Sequence, residues 1–241
     1  MAKCTGVIIK QSNFGEGHRM LWIFTDKFGI VKAVAHGAEK LKSKSGAATQ
    51  FLAMCDFDFY ENGDVWNINS VVAKDTFWHI QEDIVKLALC TYFADLVYYS
   101  LELRNPDINV FRLFLNTLYA CAYREINIKT VKLVFELKIM YMTGFMPLPD
   151  TCCMCGSQES LCYFSPRTGG IVCSKCRKNE IPVDEDMYKT IYYIIRCDIK
   201  KMFSVAYPEN AVEKLSEISE KYVTGVLGKN IPSLEYYKKI M

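Results

Sequence analysis

Phe51-Leu-Ala-Met-Cys-Asp-Phe-Asp-Phe-Tyr60-Glu-Asn62-Gly63-Asp-Val65-Trp-Asn-Ile-Asn-Ser-Val-Val72 reads as two strands joined by a tight turn. Phe57 and Phe59 alternate with Asp56, Asp58 and Tyr60, the period of a half-buried strand, and Asn62-Gly63 is a strong hairpin signal. Working outward, Cys4–Lys10, Arg19–Thr25 and Ile30–Ala35, opened by Gly29, are short and rich in branched or aromatic residues. Five strands with no long helix between them predict a small barrel over the first eighty residues.

From Glu82 the pattern changes to helices: Glu82–Leu103, stopped by Asn105-Pro106, then Asn109–Tyr123, Lys129–Met142, Asp184–Cys197, Glu209–Leu227 and a short segment from Ser233. The first is apolar nearly all round. Lys86, Asp95 and Glu102 interrupt it, which suits a buried core helix and not a membrane span. The division expected is residues 1–80, 81–148, 149–180 and 181–241: barrel, helices, an inserted cysteine module, and helices again.

That module carries Cys152/Cys155 and Cys173/Cys176, a C-x2-C-x17-C-x2-C array. Two thiolates three residues apart can face one metal from a tight turn, and a hairpin returns a second pair to complete a tetrahedron. One structural Zn²⁺ is the expected occupant, against two disulfides or four unrelated thiols. Cys153 and Cys162 have the wrong spacing to compete. Arg167, Lys175, Arg177 and Lys178 are near enough in sequence to offset the charge of four thiolates. The three histidines lie far upstream, and no H-E-x-x-H occurs, so a catalytic zinc is not expected.

The other seven of the eleven cysteines are scattered, and Cys4, Cys55, Cys90, Cys121 and Cys197 sit among apolar neighbours, as free thiols do. Val7-Ile8-Ile9 is too short for a secretory core. Both observations predict a reducing, cytoplasmic setting. The net charge is only +2 over 241 residues, but residues 1–50 carry eight Lys or Arg against three carboxylates, whereas residues 51–80 carry one against five. In the segment His36–Gly46, Lys40, Lys42 and Lys44 alternate with small residues and can follow a phosphate backbone. Trp22 is a candidate stacking platform, and Phe24 a candidate core residue. No G-x-x-x-x-G-K-[ST] phosphate loop and no local acid–base pair point to catalysis.

Gly17-His-Arg-Met-Leu-Trp-Ile-Phe-Thr-Asp-Lys-Phe-Gly-Ile-Val-Lys-Ala-Val-Ala-His-Gly-Ala resembles the start of the RecO family of bacterial recombination mediators. Phe135-Glu-Leu-Lys, Thr143-Gly-Phe-Met-Pro, Cys152-x2-Cys155-Gly, Phe164-Ser-Pro-x-x-Gly-Gly, Cys173-x2-Cys176 and Leu227-Gly-Lys-Asn-Ile-Pro-Ser-Leu-Glu-Tyr-Tyr resemble its later half, in the same order. The resemblance implies an α+β protein: a five-stranded oligonucleotide-binding (OB-fold) barrel, then an α-helical domain with an inserted four-cysteine zinc module. It implies a nucleoid-associated, non-enzymatic DNA repair and recombination mediator. Such a protein binds single- and double-stranded DNA, anneals complementary strands, and works with RecR and single-stranded-DNA-binding protein so that RecA can load. The expected DNA contacts are Arg19, Trp22, Lys32, Lys40, Lys42 and Lys44. The alternative is a zinc-ribbon transcription- or RNA-associated factor.

Overall fold

The computed structural model describes residues 1–37, 48–146 and 148–241. The chain forms two compact units, Met1–Phe111 with Tyr236–Met241, and Arg112–Glu235.

In the first unit, β1 (Ala2–Phe14), β2 (His18–Thr25), β3 (Gly29–Ala35), β4 (Met54–Tyr60) and β5 (Trp66–Asp75) close a barrel in the order β1-β2-β3-β5-β4. All neighbours are antiparallel except β3 and β5, which close the barrel in parallel through Ala33/Trp66 and Val34/Asn67. Register shifts in β1 between Ile8 and Lys10, and in the β4–β5 ladder, bend the strands toward closure. Ile8, Leu21, Ile23, Val31, Phe57, Phe59 and Trp66 fill the interior. Phe57 and Phe59 stack with centroids 5.3 Å apart. A barrel filled by its own side chains leaves ligands to its outer face and rim.

β1 extends beyond the expected Cys4–Lys10. Gln11-Ser-Asn-Phe14 has little strand propensity of its own, but pairing with β2 down to Phe14/His18 supplies its hydrogen bonds. Phe24 is fully buried, as expected of a core residue, but it lies outside the barrel lumen, edge-on to Phe111 at 5.4 Å. Helices follow: α1 (Trp78–Gln81), which the sequence pattern did not reveal, α2 (Ile84–Ser100) and α3 (Ile108–Tyr123). Asp83 starts α2 by accepting from the backbone N–H groups of Val85 and Lys86. No helix among the described residues is long and apolar enough to cross a membrane.

The second unit continues with α4 (Ile128–Met142), a three-stranded sheet of β6 (Leu161–Ser165), β7 (Gly170–Cys173) and β8 (Ile181–Pro182) in the order β7-β6-β8, then α5 (Glu185–Arg196) and α6 (Glu209–Leu227). Gly228 terminates α6 in the left-handed conformation that such caps favour. α7 (Pro232–Ile240) ends the chain. Every residue of α4 from Val131 to Met140 is buried, including three charged ones. Lys138 Nζ donates to the carbonyls of Ile194, Ile195 and Cys197 at 2.7–3.0 Å, satisfying the C-terminus of α5. Burial holds this ammonium below its ordinary pKa.

The β6–β7 hairpin is braced on α6. Tyr222 is fully buried, meets Phe164 edge-on at 5.9 Å, and donates its hydroxyl to the Phe145 carbonyl at 2.5 Å. Gly169, at φ +69°, closes the hairpin, and a Cβ there would stand 2.1 Å from the Tyr222 ring. Gly169→Ala is therefore expected to destabilise the unit. The left-handed backbone costs about 1–2 kcal/mol and the overpacking about 1–3 kcal/mol. Urea unfolding of the variant measures this, and an unchanged midpoint would contradict the brace.

Candidate metal centre and nucleic-acid face

Cys152–Gly156 and Cys173–Cys176 form two tight turns. The first is closed by hydrogen bonds from Gly156 N–H to Cys152 O and from Cys152 N–H to Ser157 O, the second by Cys176 N–H to Cys173 O. The β6–β7 ladder, which pairs Leu161 with Cys173, and the bond from Cys153 N–H to Ile171 O bring the turns together. The four Sγ atoms all lie within 4.8 Å of one another, with Cys155 and Cys173 at 3.8 Å. A metal bound at about 2.3 Å by four sulfurs in a tetrahedron requires sulfur–sulfur edges of about 3.8 Å. The spacing is too long for disulfides, and all eleven cysteines are free thiols. The cluster could thus hold a metal ion, and its all-thiolate donor set suits a soft or borderline cation.

The electrostatics agree with that reading. Burial opposes ionisation of Cys152, but hydrogen bonds from the backbone of Cys173, Met154 and Cys155 outweigh it and pull the thiol down to about 6. Hydrogen bonds shared with Cys155 and Cys173 hold the Cys176 thiol up at about 12. Without a cation, four thiolates this close do not ionise together. Cys153 and Cys162 are not among the four grouped sulfurs: Cys153 packs against the cluster but bonds Thr168 Oγ1, and Cys162 bonds the Ser160 carbonyl, at 3.3 Å each. Of the four nearby cations, Arg177 is taken by Tyr163, donating to its hydroxyl at 2.6 Å and lying 5.2 Å over its ring.

The outer face of β1–β2–β3 is the second candidate. Trp22 pairs with Lys10 on one side and Lys32 on the other. Lys10 Nζ lies 5.3 Å from the Trp22 ring and 4.9 Å from that of Tyr98 on α2. Trp22 is half-buried, and its Nε1 is enclosed without a hydrogen-bond partner, so only part of the indole is offered to a ligand. The next row is Ser12, Met20 and Val34, and beyond it stand Phe14, His18 and His36. Phe14 is 48% exposed, and the two imidazoles meet edge-on at 4.9 Å.

Arg19 does not belong to this row. It pairs with Asn13 and Ala35, and strand alternation sends it to the side of Leu21 and Ala33, opposite Trp22. Lys10 was missed because a regular strand would place it on the same face as Ile8, inside the barrel. The bulge between the two turns it outward. Lys40, Lys42 and Lys44 lie outside the described residues. Their segment leaves β3 just after Gly37, whose N–H donates to His18 Nδ1 at 3.0 Å, beside the exposed His36.

Comparison with known families matches residues 1–77 to Recombination protein O N terminal and residues 81–235 to Recombination protein O C terminal. The chain belongs to the RecO family. Proteins named DNA repair protein RecO match it along nearly its whole length. The one from Acetivibrio thermocellus is 30% identical over 99% of this chain and 96% of its own. That from Oceanobacillus iheyensis is 31% identical over 92% and 87%, and that from Caldicellulosiruptor bescii 28% over 100% and 99%.

RecO membership makes DNA repair and recombination the setting for both sites, and sets aside a transcription- or RNA-associated factor of another class. The RecO N-terminal match covers the barrel, and the C-terminal match covers the helices together with the cysteine cluster.

Proposed function

We propose that this protein is a recombination mediator that binds single- and double-stranded DNA, anneals complementary strands and, with RecR, helps RecA load onto strands coated by single-stranded-DNA-binding protein. The observation that carries the DNA contact is the Lys10–Trp22–Lys32 row, with exposed Phe14 farther along β1. The sequence adds Lys40, Lys42 and Lys44 as further candidate phosphate contacts. Cations neutralise the repulsion between two phosphate backbones, and aromatic edges hold bases without reading their sequence. Base pairing then does the work, with no covalent step. Cys152, Cys155, Cys173 and Cys176 would hold one zinc ion, and four thiolate ligands would suit it to a structural role and not to activating water. Arg19 contacts DNA only where a strand wraps the barrel rim. We retain the division 1–80, 81–148, 149–180 and 181–241 as the functional one, and a cytoplasmic, nucleoid-associated location.

Fluorescence-monitored annealing of complementary oligonucleotides, with and without a coating protein, tests the mediator activity. Replacing Lys40, Lys42 and Lys44 together with Glu is expected to weaken single-strand binding and flatten its log–log salt dependence by roughly two units, at about 0.7 per phosphate contact. An unchanged slope removes these lysines from the contact.

A further inference from the structure

We infer that the second unit carries its own single-strand site, in the open groove between α3 and the segment that follows α5. This inference rests on the DNA-binding reading above and adds to it a second site. The groove, about 410 Å³, is lined by Asn116, Tyr119, Tyr123, Arg124 and Lys200, with Phe203 at its edge.

Tyr119 and Tyr123 stand one helical turn apart and are 38% and 46% exposed, with ring centroids 5.7 Å apart. Aromatic side chains so exposed on a helix offer faces on which successive bases can stack. Two cations flank them. Arg124 gives one nitrogen to the Phe203 carbonyl at 3.3 Å, which orients the guanidinium and leaves its other donors for phosphate. Lys200 brings a mobile ammonium, and the adjacent Asp198 carboxylate is engaged by the Lys200 backbone N–H at 2.7 Å.

No carboxylate lines the groove, whereas the neighbouring cavity across Phe203 is lined by Glu125, Glu209 and Glu213 together with Lys129, which lies 3.7 Å from Glu213. The net charge of the two linings therefore favours an anionic polymer on the groove's side of Phe203. The lining offers part-exposed aromatic rings between cations, not a closed apolar hole for one anchoring side chain. That combination favours a nucleic-acid strand over an acidic peptide. Annealing gives such a site a use: a protein that holds two strands needs a second place to hold one.

The test uses the full chain, a labelled oligothymidylate and a bromodeoxyuridine-substituted version for photocross-linking. Tyr119→Ala with Tyr123→Ala is expected to weaken oligonucleotide binding by about tenfold or more, the loss of one or two stacked bases. Tyr119→Phe with Tyr123→Phe, which keeps the rings, is expected to restore it, and this separates stacking from misfolding. Cross-links are expected at Tyr119 or Tyr123, and are expected to persist when Lys10 and Lys32 are both changed to Glu. Cross-links confined to residues of the barrel overturn the second site while leaving the barrel reading intact. Absence of any oligonucleotide binding by the unmodified protein overturns both. A labelled peptide of alternating Asp and Tyr whose binding needs Tyr119 and Tyr123, when oligothymidylate binding does not, assigns the groove to a protein partner and also overturns the proposal.

Discussion

Replacing Cys173 with alanine is expected to abolish metal binding and unfold the β6–β7 hairpin. Cys173 is 2% exposed, ends β7 and supplies the sulfur 3.8 Å from Cys155, so no neighbouring group can take its place. A structural zinc of this type contributes an apparent ~10–16 kcal/mol to its local fold. That is comparable with the whole stability of a typical domain, about 5–15 kcal/mol. The apolar cluster around the cysteines themselves is small and centres on Val172, so at that end the metal is the main tie, while the other end rests on α6. The damage spreads because Gly169 and Phe164 pack on Tyr222 of α6. Metal content by mass spectrometry should fall from one ion per chain to none. Amide exchange across β6 and β7 should become unprotected, and helix α6 should lose protection next. A variant that retains a full complement of metal and the original unfolding midpoint would falsify the structural role of the cluster.

Lys132→Ala is expected to cost about 3–5 kcal/mol, the range for removing one partner of a buried ion pair. Its side chain is 5% exposed and lies 2.9 Å from Glu136, which is fully buried, and 3.3 Å from Glu220. Ser219 of α6 donates to the other Glu136 oxygen at 2.5 Å. Without the ammonium, the buried Glu136 carboxyl and that of Glu220 lose the cation they share. The pair itself need not stabilise the fold, because desolvation offsets much of its attraction. Lys132→Met with Glu136→Met is therefore expected to recover at least half of the loss. Urea unfolding of Lys132→Met, Glu136→Met and the double variant closes the cycle. Additive losses would show that the two side chains do not act as a pair.

The five predicted strands illustrate why the barrel was legible. Period-two alternation in Phe51–Tyr60 and the Asn62-Gly63 turn are local properties, set by backbone sterics and by which side of a strand meets water. The strand ends were less legible. Gln11–Phe14 became strand only because β2 lay beside it, and α1 spans only four residues, too few for a helical period to show. The cysteine array was legible because metal geometry demands short, repeated spacings. Its bracing by Tyr222, 46 residues beyond Cys176, left no local mark.

The DNA face divides in the same way. Positive charge and aromatic content near the first three strands were visible as composition. Which of those residues share a face was only partly visible: plain alternation along β2 sets Arg19 opposite Trp22, but the bulge in β1 that brings Lys10 to the side of Trp22 and Lys32 left no local mark.

What the amino-acid order alone determined is whatever depends on neighbours a few residues apart: strands, turns, helix caps and the two C-x2-C turns. What only the folded chain decided is whatever depends on distant residues meeting. The gathering of four sulfurs, the burial of Lys132 against Glu136 and Glu220, and the row that sets Lys10 beside Trp22 belong to that class. The physical reason is range: backbone sterics and hydrophobic period act within one element, whereas packing, charge pairing and metal geometry act between elements.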